Sequence, residues 1–477
     1  MMFAMAAAAM TAEAGGLMTN TNYHIAFDRM FARGATMEID GAYSNPAGLA
    51  WGHEGWQLSL NFQKPWQNRD IETDIPSFLG SNFHQKFNGK ASAPIVPALF
   101  ASYKKDRWAV STMIGIVGSG GFVKYDEGIP MFNVMTMGKI YETSALANAA
   151  DPTSPILKPN MYGIDSEVKG KQYIYGGQIN FTYKLTDCLS AAVGMRANYY
   201  DGYNRGYVTA TTLPALGSQQ LMDLQLDVIQ RGWGFAPIVS VDYHKGPLTL
   251  AARYEFRTKI NTTNDTEALS VTMMGQKTDI KATAEKVGNA TTLAGLAAKM
   301  GDGMAAKIKD FMPDEEVRYD MPALLVVAAQ YEFTPKLRAA LEYHFFDDKH
   351  AQMANDRQET LKHGTHEFLL GAEYDISDKL TVSLGGQRTD YGLSDDYQSH
   401  TSFACDSYSL GCGAAINLSE KIRLNVSYFC SLYSDYTKSV PAGDPKKGQG
   451  YVGTGLAGTD VFSRTNHVLG LGIDYKF

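Results

Sequence analysis

The chain has 477 residues, of which 19% are charged and 11% aromatic, and carries a formal charge of -7. That length admits two or three ordinary domains or one large barrel. Mild acidity without a basic block argues against nucleic acid as a partner, and no apolar run reaches the roughly 20 residues of a membrane-crossing helix.

The amino terminus, MMFAMAAAAMTAEAGG, sets an Ala/Met run before Ala12-Glu13-Ala14. Residues 1–14 resemble the apolar core and A-x-A cleavage site of a secretory signal, with mature protein starting near Gly15. An irregular Ala-rich start is the other reading. Residues 15–54 come next, without clean alternation.

From Gly55 onward a period of two dominates, the mark of strands whose successive side chains point to opposite faces. Apolar faces run through Trp56, Leu58, Leu60 and Phe62, then Trp108, Val110 and Ile114, then Tyr175, Ile179, Phe181 and Tyr183. They recur at Trp233, Phe235, Val239 and Val241, at Leu325, Val327 and Tyr331, and at Phe368, Leu370 and Tyr374. The last is Leu469, Leu471, Ile473, Tyr475 and Phe477. With a weaker strand at 97–103, the pattern gives about fourteen strands.

Connections alternate in length. Short turns fall near Lys105, Asp187, Gly246, Pro335, Asp378 and Ser419, and long loops span 66–96, 118–171, 201–230, 259–321, 346–364, 388–400 and 433–463. That sorting is the layout of an outer-membrane barrel. Between the apolar residues stand Arg196, Asn198, Arg253, Glu255, Arg338, Glu342, Glu373, Arg423, Asn425 and Asp474. An Arg or Lys facing lipid at mid-depth costs about 2–4 kcal/mol, so these side chains belong in a polar interior. The expected fold is all-β and membrane-embedded: an antiparallel outer-membrane β-barrel over residues 55–477, with Tyr183, Tyr243, Tyr331, Tyr374 and Tyr475 as an aromatic girdle.

Asn45-Pro46-Ala47-Gly48-Leu49-Ala50, placed just before the first strand, resembles the NPA-type signature of FadL-type outer-membrane transporters of long-chain fatty acids and aromatic hydrocarbons. Residues 93–128 are similar to that family's second and third strands. The resemblance implies that residues 15–54 form a hatch in the lumen, with Asn45, Pro46 and Ala47 in its tight turn. A plain turn leading into the first strand is compatible with it. Gly118, Gly120 and Gly121 either end the third strand or kink it, and in the family an inward kink there opens a lateral gap. The terminal Phe477 looks like the signal read by outer-membrane assembly machinery.

Two long loops carry apolar stripes: Met131, Phe132, Met135 and Met137 in 118–171, and Leu293, Leu296, Met300, Met304 and Ile308 in 259–321. Methionine adapts to apolar ligands of variable shape, and the second stripe has helical spacing. In the family such segments make a hydrophobic capture groove; sealing each loop onto the rim is the structural alternative.

The resulting expectation is passive uptake of a hydrophobic small molecule such as a long-chain fatty acid, by a monomer in the outer membrane. Neither catalytic residues nor a cofactor nor a metal is expected. His363 and His366 would face opposite sides of a strand. A hydrolase acting on lipid or peptide would have His344, His350 and Asp347 as raw material, and a general porin or adhesin is the third reading.

Overall fold

The computed structural model describes residues 15–300 and 308–477, except for the side chains at 92, 119, 120, 299, 300 and 446. In chain order come α1 (Ile25–Met30), β1 (Gly55–Phe78), β2 (Ser81–Ser92), β3 (Val96–Lys105), β4 (Trp108–Tyr125), α2 (Pro130–Ala150), β5 (Tyr162–Lys184) and β6 (Leu189–Thr212). Next are β7 (Gln220–Lys245), β8 (Leu248–Glu255), β9 (Asn261–Met273), β10 (Gln276–Asp279), α3 (Ile280–Val287), α4 (Asn289–Met300) and β11 (Glu316–Arg318). The rest are β12 (Leu324–Thr334), β13 (Leu337–Phe346), β14 (Thr365–Ser377), β15 (Leu380–Asp390), β16 (Ser407–Asn417), β17 (Ile422–Tyr433), β18 (Tyr436–Val440) and β19 (Gly458–Lys476).

Fourteen of these strands, β1, β3 to β8, β12 to β17 and β19, pair antiparallel in a closed ring. The ring closes between β1 and β19, in register from Gln57 opposite Lys476 to Asp74 opposite Thr459. Closure joins the last strand to the first, so the ring has no free edge strand. The remaining strands lengthen the wall on the long-loop side.

Alternation is kept along each wall strand. On β5, Tyr175, Ile179, Phe181 and Tyr183 point outward, while Gln172, Gln178, Asn180 and Thr182 are buried inside. Between Tyr183 and Tyr173, at about 3.3 Å per residue and a tilt of about 40°, the apolar outer band is roughly 25 Å tall. Arg196, Asn198, Arg253, Glu255, Glu342, Glu373, Asn425 and Asp474 all face inward and are buried.

The strands run further than their apolar alternation indicates. Residues 66–96 are not a loop but the upper arm of β1 and all of β2, joined by a tight turn at Leu79 and Gly80. Likewise 201–230 is mostly β6 and β7, and the loop after β4 begins only beyond Tyr125. Above the apolar band, outward side chains become polar (Asn68, Asp70, Glu72 and Asp74 on β1), so polar residues stand on both faces and the period disappears from composition.

Placing Arg at Ile179, which is 59% exposed in the middle of the band, should lower barrel stability by about 2–4 kcal/mol. Denaturant titration of folding into vesicles measures it.

Candidate functional site

The amino-terminal segment packs inside the ring. Residues 15–50 are buried almost without exception. The helix α1 has only 6 residues, too few to persist alone, so its surroundings hold it. His24 caps it through a hydrogen bond from the Ala26 N–H to Nδ1 at 3.0 Å. The wall beneath it is made of glycine: a Cβ at Gly371 or Gly385 would overlap the Met30 carbonyl, and one at Gly411 the Asp28 carbonyl. Nothing larger fits while α1 stays seated.

Ion pairs hold the stretch from Arg29 to Asp40. Glu373 on β14 pairs with Arg29 and, at 2.7 Å, with Arg338. Arg33 binds Asp40 at 2.6 Å and Glu38 at 2.8 Å, and Glu38 also pairs with Arg423 on β17. Backbone donors add anchors: Gly34 N–H donates to Glu342 at 2.6 Å and Gly15 N–H to Glu367 at 3.0 Å. The Asn45 side chain accepts from Gly48 N–H at 3.2 Å and donates to Asp242 at 2.6 Å. The Pro46 and Ala47 carbonyls accept from Thr182 and Ser190, each at 2.7 Å. Asn45, Pro46 and Ala47 therefore form a corner tied to the barrel wall.

The wall is interrupted beside this segment. β3 and β4 pair up to Ala98 opposite Gly115, and β2 resumes the pairing at Ser92 opposite Phe122. Between these pairs β4 bulges twice, at Ile116/Gly118 and at Ser119/Gly121. Gly118, Gly120 and Gly121 thus lie in or beside the irregular stretch. A bulge frees ladder groups, and the Val117 carbonyl accepts from Asn20 N–H at 3.1 Å and Tyr23 O–H at 3.0 Å. At Gly118 a Cβ would overlap the Met18 carbonyl. Ala93, Val96 and Ile116, with Tyr173 packed against them, make this part of the wall apolar. The residues missed on the opposite side are Ala93 to Pro97. Their signal was Pro94 and Pro97, since proline has no ladder donor and marks breaks.

On the long-loop side one apolar cluster joins both loops. It contains Met131, Phe132, Met135 and Met137 from α2, Leu296 from α4, and Ile308, with Leu293 half-buried against it. Inward residues of the wall, including Ile71, Phe87, Val123, Leu224 and Phe462, complete it. Met304 lies outside the described residues, as does the Met300 side chain.

The histidines are occupied otherwise. His344 sits buried between Glu342 and Glu367, with Nδ1 2.8 Å from Glu367. With a carboxylate on each ring nitrogen, it has no free nitrogen for a nucleophile. His363 precedes β14, so strand parity does not apply to it; its ring lies 5.1 Å from that of His366 rather than across the sheet. No group of three metal-binding side chains occurs among the described residues. At the short-turn end, a cavity of about 930 Å³ opens below the segment, lined by charged side chains such as Arg33, Glu38, Arg338, Asp375, Arg423 and Lys476.

No protein-family model and no curated relative matches this chain. Solved structures do. A crystal structure of a Pseudomonas aeruginosa FadL homologue aligns over 97% of this chain and 100% of its own, at 13% identity and a TM-score of 0.63. The P. putida toluene transporter TodX aligns over 94% of this chain and 97% of its own, at 12% identity and a TM-score of 0.55. At such identities the likeness establishes the fold.

This geometry has two measurable outcomes. Gly385→Val removes the seat of α1 and should raise ionic conductance in planar bilayers while leaving heat-modifiable barrel migration intact. Asp348, buried beyond the end of β13, accepts from Thr365 N–H at 3.1 Å, and burial pushes its carboxyl up to about 7. A raised acid stabilises the fold fully below about pH 4, and that stability is lost as pH climbs through 7. Asp348→Asn should therefore match the parent in thermal unfolding at pH 4 and exceed it at pH 8, by on the order of 1–4 kcal/mol.

Proposed function

We propose, taking the FadL-type fold as premise, that this chain is an outer-membrane transporter for passive uptake of hydrophobic molecules. Long-chain fatty acids are the cargo we favour. The observation that carries the reading is the apolar interruption between β3 and β4, with Met18, Asn20 and Tyr23 set against it. Residues 15–54 act as the hatch. Cargo gathers at the Met-rich cluster of α2 and α4, enters the lumen as hatch contacts shift, and leaves sideways at Gly118–Gly121. The alternative path down the lumen ends in the charged cavity at the short-turn end, a poor medium for an apolar molecule. A filled lumen also argues against a general porin.

Two buried guanidinium groups support an acid over a hydrocarbon. Arg69 and Arg464 stand directly opposite each other on β1 and β19, next to the apolar cluster at Tyr125 and Phe462. A carboxylate head there would share these guanidinium groups with the partners they already hold, Gln67 at 3.4 Å from Arg69 and the Tyr433 ring 4.6 Å from Arg464, while its chain lies among apolar side chains.

The primary test is mass spectrometry of small molecules that co-purify in detergent. Fatty acids should be retained by the intact chain and lost when residues 15–54 are deleted; their absence, with steady ionic conductance of the intact protein, would leave a porin. Arg69→Gln with Arg464→Gln should weaken fatty-acid binding at least tenfold and leave binding of an alkane of equal length unchanged. Cysteines at Ala93 and Ile116, in a background with the four native cysteines replaced, should stop uptake when bridged by a short thiol crosslinker. Uptake that persists after bridging would remove the lateral route.

A further inference from the structure

Four basic side chains line up on the outer face of the barrel. Lys90 on β2 is directly opposite Lys124 on β4, Lys124 opposite Lys169 on β5, and Lys169 opposite Arg205 on β6. All four point outward. Like charges directly opposite each other on adjacent strands repel, and here the repulsion repeats across four strands without a break.

The height of the row is defined by its neighbours. On β5 the outward aromatics end at Tyr175 and Tyr173, and Lys171 and Lys169 come next. Lys169 therefore stands roughly 10 Å above Tyr173 along the barrel axis, the level of lipid headgroups rather than of open water. On β2 and β4, Lys90 and Lys124 are the first outward charges above the pair Ser92–Phe122 that closes the apolar interruption. Two carboxylates lie on the far side of the row: Glu167 binds both Lys124 and Lys169, and Asp126 pairs with Lys124. Asp227, the cross-strand partner of Arg205, pairs with it at 2.7 Å. Lys171, one step nearer the band, and Arg231, level with Tyr173, share Asp201. With Asp265 and Glu267 of β9 included, acids and bases are equal in number around the row, and Lys90 is the base of the row that holds no ion pair among the described residues.

We propose that this row docks the phosphates of a lipid A-type glycolipid of the outer leaflet, held against the wall directly above the opening between β3 and β4. Lys and Arg are the residues that take phosphate oxygens. A phosphate carried on several acyl chains is held near the level of the row, which a dissolved anion is not. The docked glycolipid closes the outer rim of the opening, so that cargo leaving sideways meets acyl chains. This inference rests on the outer-membrane placement proposed above.

The test uses the intact protein reconstituted in phosphatidylcholine vesicles containing bisphosphorylated or dephosphorylated lipid A, with binding read by retention of labelled lipid A after repurification. The parent should retain the bisphosphorylated form at least tenfold better than the dephosphorylated one, and excess inorganic phosphate should not displace it. Lys124→Gln with Lys169→Gln should abolish that preference, whereas Lys105→Gln with Lys379→Gln, the same change in charge at the short-turn end, should not. Equal retention of both forms, competition by inorganic phosphate, or an unchanged preference in the Lys124/Lys169 variant would overturn the docking row. Insertion into phosphatidylcholine alone reports separately on the barrel, and its failure would overturn the membrane reading and the row together.

Discussion

Inside a bilayer every backbone polar group has to find its partner within the protein, and where the wall of this barrel is interrupted beside β4 the partner comes from the amino-terminal segment. Between Gly115 and Phe122 the ladder on the β3 side of β4 stops. The Val117 carbonyl, released by the bulge, is taken up by Asn20 and Tyr23. The interruption and the segment that lines it are therefore one construction. Withdrawing residues 18–23 would strand a carbonyl, and regularising β4 would leave those residues nothing to hold.

The same reciprocity governs charge. Burying Arg29 and Arg33 is tolerable only because Glu373, Asp40 and Glu38 lie beside them, and removing one member of such a buried set commonly costs about 3–5 kcal/mol. Glu373 serves Arg29, Arg33 and Arg338 together. It joins the segment to β13 and β14, whereas Asp242 joins the Asn45 corner and Trp51 to β7.

Much of this was legible in the amino-acid sequence, and what was not has a physical cause. Within the apolar band, lipid forces outward residues to be apolar, so Ile179, Phe181 and Tyr183 announce their strand. Above the band water replaces lipid and the same strands fall silent, which hides β2 and the upper halves of β1, β6 and β7. Gly118 was visible as an irregularity in β4, while its counterpart at Ala93–Pro97 fell where a loop read as 66–96 meets a weak strand read as 97–103. The seat of α1 was illegible because Gly371, Gly385 and Gly411 alternate with outward apolar residues like any inward position; only the approach of a backbone from the other end of the chain explains them. That approach appears in the Arg29–Glu373 contact, separated by 344 positions.

This separation has a bearing on how the molecule is made. The segment is synthesised first, yet α1 rests on β14, β15, β16, β17 and β19, the end of the chain. Its docking site does not exist until the last strands have formed, and His24 meets Asp474 across 450 positions, two residues before the final strand ends. Filling the lumen and sealing β1 to β19 are thus late events on the same part of the chain. A barrel built this way carries its first segment to the closing step, so the strands that seal the wall are the same ones that seat α1.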